Sequence, residues 1–129
     1  MTRRAVSTSA APSAVGPYSQ GIATDDLLFC SGQVGLDPAS GELVDGGVEV
    51  QCERALKNLG AVLDAGGCSL ADVVKTTVFL ADIGDFANVN ATYARFFPDP
   101  PPARSTFAVA GLPKHARIEI EAVAVRPRP

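Results

Sequence analysis

The chain has 129 residues, 47% of them hydrophobic and 19% charged, with a formal net charge of −3. This length is typical of one domain, residues 1–129, and the acidic balance argues against the basic patch of a nucleic-acid-binding protein. No stretch approaches the ~18 apolar residues that span a bilayer, so we expect no membrane partner. The charged fraction is low for a small monomer, which predicts that some surface is buried between subunits.

The cysteines and the histidine offer little for metal or redox chemistry. Cys30, Cys52 and Cys68 form no CxxC pair, and His115 is the only histidine. We therefore expect buried thiols in a reducing cytoplasm, and neither a metal nor a cofactor. The sequence also lacks the GxGxxG, Walker, HExxH and GxSxG motifs, so it does not favour nucleotide, zinc-protease or α/β-hydrolase chemistry.

The first half of the chain reads as a loop, a strand and a helix. Residues 9–17 are small and proline-rich, which predicts an extended loop. Leu27 to Gly32 is typical of a strand that ends at a glycine. Val48 to Ala65 repeats apolar residues at helical spacing and stops at Gly66-Gly67, which predicts an amphipathic helix.

The second half predicts a strand, a helix and two more strands. Residues 73–80 are rich in β-branched and aromatic side chains, and residues 85–97 carry one apolar side at helical spacing before Pro98. Asp82 or Asp85 could cap this helix. Residues 105–110 and 117–125 read as strands, most simply as antiparallel neighbours. The order predicts an α+β domain with a sheet that carries its helices on one face.

Alternation along the last strand indicates what lies on the other face. Ile118 and Ile120 share one face, while Glu119 and Glu121 share the second face with Val123 and Val125. In the strand from residue 73, Val74 belongs to the apolar face, and Val73 and Phe79 to the opposite one. A face that is charged at one end and apolar at the other is expected to be covered by a second subunit.

Arg104 and Glu119 are the candidate groups for chemistry, because an arginine facing a glutamate can hold a substrate carboxylate and activate a water. A weak surface ion pair and a solvated strand face are the alternative interpretations. Tyr18 could be a packed loop tyrosine or a lid, and Ser31 a turn residue or a hydroxyl donor. Asn90 could simply brace the fold, since a buried amide needs partners.

Five segments, in order, resemble the Rid family of small trimeric proteins, the RidA or YjgF type known as reactive intermediate deaminases. The resemblance covers residues 15–125. The segments are Gly16-Pro17-Tyr18-Ser19-Gln20-Gly21, Ser31-Gly32-Gln33, residues 74–80 (VKTTVFL), residues 85–93 with Phe96-Phe97, and Pro102-Ala103-Arg104-Ser105 leading to Ile118-Glu119-Ile120-Glu121-Ala122.

The resemblance implies a chorismate-mutase-like fold, a mixed sheet with two helices on one face, and a homotrimer with clefts between subunits. It implies cofactor-free hydrolysis of 2-enamine and 2-imine acids, such as 2-aminoacrylate and 2-iminopropionate, to 2-keto acids and ammonia. Residue by residue, it makes Arg104 the carboxylate clamp and Glu119 the group that positions water. It places Tyr18, Ser31, Phe86, Asn90 and Thr106 in the cleft. Glu121 is part of the same motif, and we expect it to serve structure or pairing rather than chemistry.

Two departures and two alternatives remain. Thr106 stands where many relatives carry cysteine, and residues 98–103 are short and proline-rich beside the expected cleft. A non-catalytic trimer that binds small carboxylates or keto acids would also use Arg104, but only the enzyme needs Glu119. A broader hydrolase or a nuclease is a third hypothesis, disfavoured by the acidic charge and the lone histidine.

Overall fold

A computed structural model describes residues 2–128, and its centre is one mixed sheet of six strands. The strands are β1 (Arg4–Val6), β2 (Gly21–Ala23), β3 (Leu27–Val34), β4 (Val73–Leu80), β5 (Ala103–Ala108) and β6 (Ile118–Val125). The helices are α1 (Val48–Ala65) and α2 (Phe86–Ala94), with short 3₁₀ turns at Leu70–Asp72, Ile83–Asp85 and Pro113–His115. The predicted α+β class, with two helices on one sheet face, is confirmed.

The last two strands are not neighbours, so that prediction was wrong. The strand order is β1-β2-β3-β6-β4-β5, and β4 lies between β5 and β6. The strand β5 runs parallel to β4, whereas every other pairing is antiparallel. The reason is the helix α2, which joins β4 to β5: a strand–helix–strand crossover returns the chain in the same direction.

The helix α1 has the predicted bounds and buries its apolar stripe against the sheet. Cys52, Leu56, Leu59 and Leu63 are fully buried and pack in one core with the sheet residues Leu28, Val78, Ile118 and Ile120. The helix ends at Gly66, whose N–H donates to the carbonyls of Val62 and Leu63. This core fixes the positions of the central strands.

The second helix is shorter than predicted. It spans Phe86–Ala94, and the residues before it form the 3₁₀ turn, where the Asp82 side chain accepts a hydrogen bond from Gly84 N at 2.8 Å. Asp85 makes no side-chain cap bond; its carboxylate instead accepts two bonds of 2.9 Å from Arg117 Nη2. The ion pair joins the start of α2 to the residue before β6.

A bulge in β4 reverses one predicted orientation. The β4–β6 register shifts between Val73 and Lys75, so Val73 is buried in the core and Val74 is 47% exposed. One extra residue in a strand moves its neighbours to the other face, which strict alternation could not anticipate. From Thr76 onward the alternation holds as predicted.

The sheet face away from the helices is left open in the protomer. Phe29, Phe107 and Val125 are between 43% and 45% exposed there, and the rings of Phe79 and Phe107 meet edge to face at 5.4 Å. Large apolar side chains on one continuous face are the mark of an interaction surface.

The three cysteines are free and buried, as expected. Burial raises the pKa of Cys30 and of Cys52 to about 12, so both thiols stay protonated. Within residues 2–128 no group of three or more His, Cys, Asp or Glu side chains could hold a metal ion. No helix of the same region is long and apolar enough to cross a membrane.

Candidate functional site

The first part of the candidate site surrounds Arg104, on the helix face of the sheet. Arg104 is paired with Thr76 of β4, and Thr76 is fully buried under α2. The side chain opens into a cavity of about 650 Å³ between α2 and the proline-rich segment before β5. We call this the arginine pocket; it is lined by Asn90, Tyr93, Ala94, Phe97, Asp99, Pro101, Pro102 and Arg104.

Two aromatic rings hold the Arg104 guanidinium. Its Cζ atom lies 4.8 Å from the centroid of Tyr93 and 5.5 Å from that of Phe86. Such cation–π contacts fix the position of the group without using its N–H donors. Within residues 2–128 no carboxylate forms an ion pair with Arg104, whereas Arg95, Arg117 and Arg128 each have one. The guanidinium is therefore free to bind a carboxylate from outside the chain.

Within residues 2–128, two polar atoms on the helix side of the sheet, one on α2 and one on β5, also lack partners. Asn90 Oδ1 and Thr106 Oγ1 are buried and have no hydrogen-bond partner among the described residues. Thr106 pairs with the fully buried Val78, so it lies on the same face as Arg104, two residues along β5. Because buried polar atoms are costly when unpaired, both are suited to receive a ligand.

The second part of the candidate site surrounds Glu119, on the open face. It is a separate cavity of about 650 Å³, which we call the glutamate pocket. Tyr18, 51% exposed, lies at this pocket with Ser31 and Glu121. The Ser31 hydroxyl donates to the carbonyl of Ser19 at 2.6 Å, which ties β3 to the loop that carries Tyr18.

Burial makes the Glu119 carboxyl a better base than an exposed glutamate. Partial burial, and then the neighbouring Glu121 charge, raise its pKa above the ordinary 4.5. The carboxylate lies directly over Gly32, in the space that a Cβ atom at residue 32 would occupy. The β3–β6 register shifts at this point, between Cys30 and Gln33. The bulge and the missing side chain together make room for Glu119.

The structure brings the predicted residues together in two groups. Arg104, Phe86, Asn90 and Thr106 lie on the helix face, whereas Tyr18, Ser31 and Glu119 lie at the open face. Sequence reasoning expected Arg104 and Glu119 on neighbouring strands; within one chain they are on opposite faces, with β4 between them. The prediction that Arg104 and Glu119 lie on neighbouring strands was wrong, because β4, and not β5, pairs with β6.

Sequence reasoning missed two residues of the candidate site. Both lie in segments that match the family, but Tyr93 was interpreted as part of an apolar helix side and Gly32 as the end of a strand, and neither was given a role in the site. The spacing of Phe86, Asn90 and Tyr93, at positions i, i+4 and i+7, is the signal that places all three on one helix face beside β5. Nothing in the sequence pattern alone shows that Gly32 lies under Glu119.

Comparison with known proteins identifies the group to which the chain is related. Residues 8–126 match the family described as Endoribonuclease L-PSP. A human protein named 2-iminobutanoate/2-iminopropanoate deaminase is 53% identical over 98% of this chain and 92% of its own length.

Two solved structures have the same fold. The E. coli YjgF gene product is 45% identical with a TM-score of 0.91, over 96% of this chain and 99% of that one. E. coli TdcF with bound serine is 41% identical with a TM-score of 0.92, over the same shares. The chain belongs to the Endoribonuclease L-PSP family, the group of RidA and YjgF proteins that its motifs resemble.

Proposed function

We propose that the protein hydrolyses small 2-imino acids, and the 2-enamine acids that tautomerise to them, to 2-keto acids and ammonia. The proposed site is the cleft between two subunits of a homotrimer. The observation that carries the proposal is the pair of half-sites: an unpaired guanidinium in one pocket and a partly buried carboxylate in another. A carboxylate-bearing imine needs both groups.

Two copies of the chain are needed because the half-sites face away from each other in one protomer. Arg104 lies on β5, the edge strand, and so at the rim of the sheet. Glu119 lies on the open face, whose exposed apolar residues suit burial against another copy. A cyclic trimer repeats one contact three times, so that the rim of each subunit approaches the open face of the next.

Substrate binding is assigned to the arginine pocket. The planar guanidinium can donate two parallel hydrogen bonds to the substrate carboxylate, which fixes the distance and the plane of the ligand. Asn90 Oδ1 can accept from the imine or enamine N–H, and the Thr106 hydroxyl can donate to the carboxylate. With the carboxylate fixed, the imine carbon has one allowed position.

Hydrolysis is assigned to Glu119. The substrate reacts as its protonated iminium form. A water held by the Glu119 carboxylate loses a proton to Glu119 as its oxygen forms a bond to the iminium carbon, and the C=N electron pair moves to the nitrogen, which gives a carbinolamine. Glu119 then passes that proton to the nitrogen. As the C–N bond breaks, the hydroxyl proton returns to the Glu119 carboxylate, and the products leave as a keto acid and ammonia, which takes up the last proton. The raised pKa suits this exchange, because the carboxyl both takes and returns the proton.

The relatives support this assignment. The human relative carries the name of an imine deaminase. The E. coli TdcF structure binds serine, a molecule with the carboxylate and the nitrogen that the proposed cleft would bind. A second function, a trimer that binds small carboxylates without chemistry, is favoured by the same bound serine. It requires Arg104 but leaves Glu119 without a role.

The test is release of ammonia and keto acid from freshly generated 2-aminoacrylate and from bulkier imino acids. We expect the wild-type protein to accelerate release and Arg104→Ala to lose the acceleration. Arg95→Ala is the matched control, because Arg95 also lies over an aromatic ring, Phe96 at 5.9 Å, but outside the arginine pocket. No acceleration by a folded wild-type protein would contradict the deaminase.

Binding separates the two functions. In the deaminase, Glu119→Gln should slow turnover by about 10²–10⁴-fold while pyruvate still binds. If Glu119→Gln turned over at the wild-type rate, Glu119 would not be the base. If wild-type protein bound pyruvate without turnover, the carboxylate-binding function would replace the enzyme.

A further inference from the structure

We propose that Tyr93 is a positioning residue for the Arg104 clamp. Its ring and its hydroxyl would together hold the guanidinium in the orientation that takes a carboxylate edge-on. The inference rests on the proposed function, and it adds a residue to which the resemblance gives no role in the cleft.

The first observation is where the guanidinium lies. Phe86 and Tyr93 are seven residues apart on α2, and so about 10 Å apart along the helix axis. With Cζ at 5.5 Å from one ring centroid and 4.8 Å from the other, the guanidinium lies between them. Phe86 is 40% exposed, but Tyr93 is only 5% exposed. Tyr93 is thus the rigid contact of the two.

The second observation is how Tyr93 itself is held. Its hydroxyl shares a 2.7 Å hydrogen bond with Oγ1 of Thr76, which is fully buried. Its ring packs on Phe97 with centroids 4.5 Å apart. Thr76 is also the strand partner of Arg104 on β4. Thr76 therefore contacts both the backbone of Arg104, as its strand partner, and the Tyr93 ring on which the guanidinium lies.

The charge of the phenol also matters. Burial, the largest effect, raises the pKa of Tyr93, although the hydrogen bond with Thr76 and the charge of Arg104 both act to lower it. The hydroxyl therefore stays protonated and keeps its bond to Thr76, and no phenolate pairs with Arg104. A neutral ring holds the cation but leaves its N–H donors for the ligand, whereas a carboxylate in its place would occupy them.

The test separates the ring from the hydroxyl. Tyr93→Leu removes the cation–π contact, so we expect pyruvate affinity to fall by about 3- to 30-fold and KM to rise by the same factor. The maximal rate should change much less, because Glu119 is untouched. Tyr93→Phe and Thr76→Val each break the hydroxyl bond but keep the ring, and should give a smaller rise in KM.

Val89→Ala is the matched control. Val89 lies on the same helix and is buried in the core, but it is outside the lining of the arginine pocket. We expect a similar loss of thermal stability with KM and pyruvate affinity near wild type. A merely structural Tyr93 would instead make Tyr93→Leu and Val89→Ala equal in KM and affinity as well as in stability.

Failure of this inference is distinguishable from failure of the proposed function. Wild-type protein that turns over imino acids, together with a Tyr93→Leu variant of unchanged KM and unchanged pyruvate affinity, would overturn the role of Tyr93 alone. Wild-type protein that neither binds pyruvate nor releases ammonia would overturn both. If Tyr93→Leu fails to fold, Tyr93→Phe and Thr76→Val replace it. An unchanged KM in both variants would show that the hydrogen bond between Tyr93 and Thr76 does not help to position Arg104.

Discussion

Arg104 and Glu119 lie on opposite faces of one sheet, and the strand β4 separates them. Arg104 pairs with Thr76 beneath the helix α2, whereas Glu119 lies between Ile118 and Ile120, which are both buried in the core on the other side. No rotamer change brings the two side chains to one small substrate within a protomer. The proposed chemistry therefore depends on assembly.

Mixing two inactive variants should restore activity. In the proposed trimer, assembled from equal amounts of Arg104→Ala and Glu119→Gln chains, a cleft is intact when its arginine comes from a Glu119→Gln chain and its glutamate from an Arg104→Ala chain. Random mixing leaves one intact cleft in each mixed trimer, and hence about a quarter of wild-type activity. The measurement is ammonia release after joint refolding.

The control for that experiment is the double variant Arg104→Ala/Glu119→Gln mixed with wild-type chains. The double variant supplies neither Arg104 nor Glu119 to a cleft. Activity should therefore come only from clefts in which both chains are wild type. If the two single variants gave no activity although mass spectrometry showed mixed trimers, the site would not be shared between chains.

Glu119 should make stability depend on pH. Its folded-state pKa is raised above 4.5, so the free energy of unfolding that it contributes is fully present below pH ~4.5 and is lost as pH rises through the raised pKa. In an Arg104→Ala background, which removes the guanidinium that the proposed assembly would bring to Glu119, Glu119→Gln should be the more stable protein near pH 8. The difference should vanish near pH 4.

Urea unfolding at matched protein concentration measures this effect. Glu42→Gln is the control, because it makes the same chemical change at an exposed residue outside both pockets. The prediction would be contradicted if Arg104→Ala/Glu119→Gln were less stable than Arg104→Ala near pH 8. The surroundings of Glu119 would then stabilise its charged form instead of destabilising it.

Gly32→Ala should reduce activity more than stability. A Cβ at residue 32 would collide with the Glu119 carboxylate, which can swing away because it is the end of a flexible side chain. We expect turnover to fall by about 10-fold or more, since misplacing a reacting group by 1 Å can cost as much as 10²-fold. Gly60→Ala is the control, because nothing lies within 4 Å of its added Cβ and α1 should gain about 0.5–1 kcal/mol.

Circular dichroism and thermal melts would show whether both glycine variants keep the fold. A Gly32→Ala protein with wild-type turnover would mean that Glu119 does not act from the position that the structure shows.

The ion pair between Asp85 and Arg117 should matter more than the other pairs. Its two bonds of 2.9 Å join the start of α2 to the residue before β6, and the Asp85 side chain is only 12% exposed. Asp85→Ala should cost about 1–3 kcal/mol of the free energy of unfolding, since it removes two charge-assisted hydrogen bonds to a carboxylate that is nearly buried. Urea unfolding with Asp26→Ala as control tests this. Asp26 pairs with Arg128 at the same distance but is largely exposed, so its loss should cost under about 1 kcal/mol.

Periodicity predicted the individual elements well, and topology less well. The apolar stripe of α1 gave its bounds because one buried face is enough to specify a helix. The pairing of β5 was missed because sequence order favours consecutive neighbours, whereas the crossover through α2 sends β5 to the far side of β4. The orientation of Val74 was missed because a bulge adds one residue to the strand, and the alternation of side chains in the sequence does not show where it occurs.

The candidate site residues were found by motif, and their arrangement was not. Arg104 and Glu119 occur in recognisable segments, but only coordinates show that they face in opposite directions. Tyr93 looked like any apolar helix residue, because a ring that packs in the core and a ring that holds a guanidinium share the same spacing.

The three buried thiols bear on how the protein would tolerate the proposed substrates. The carbon of an imine is electrophilic, and the thiolate is the reactive form of cysteine. Cys30, Cys52 and Cys68 are all buried, and burial raises the pKa of each thiol above its ordinary value. The three cysteines therefore offer the proposed cleft no thiolate that could add to an imine carbon, so the reaction proposed here would run beside the thiols without consuming them.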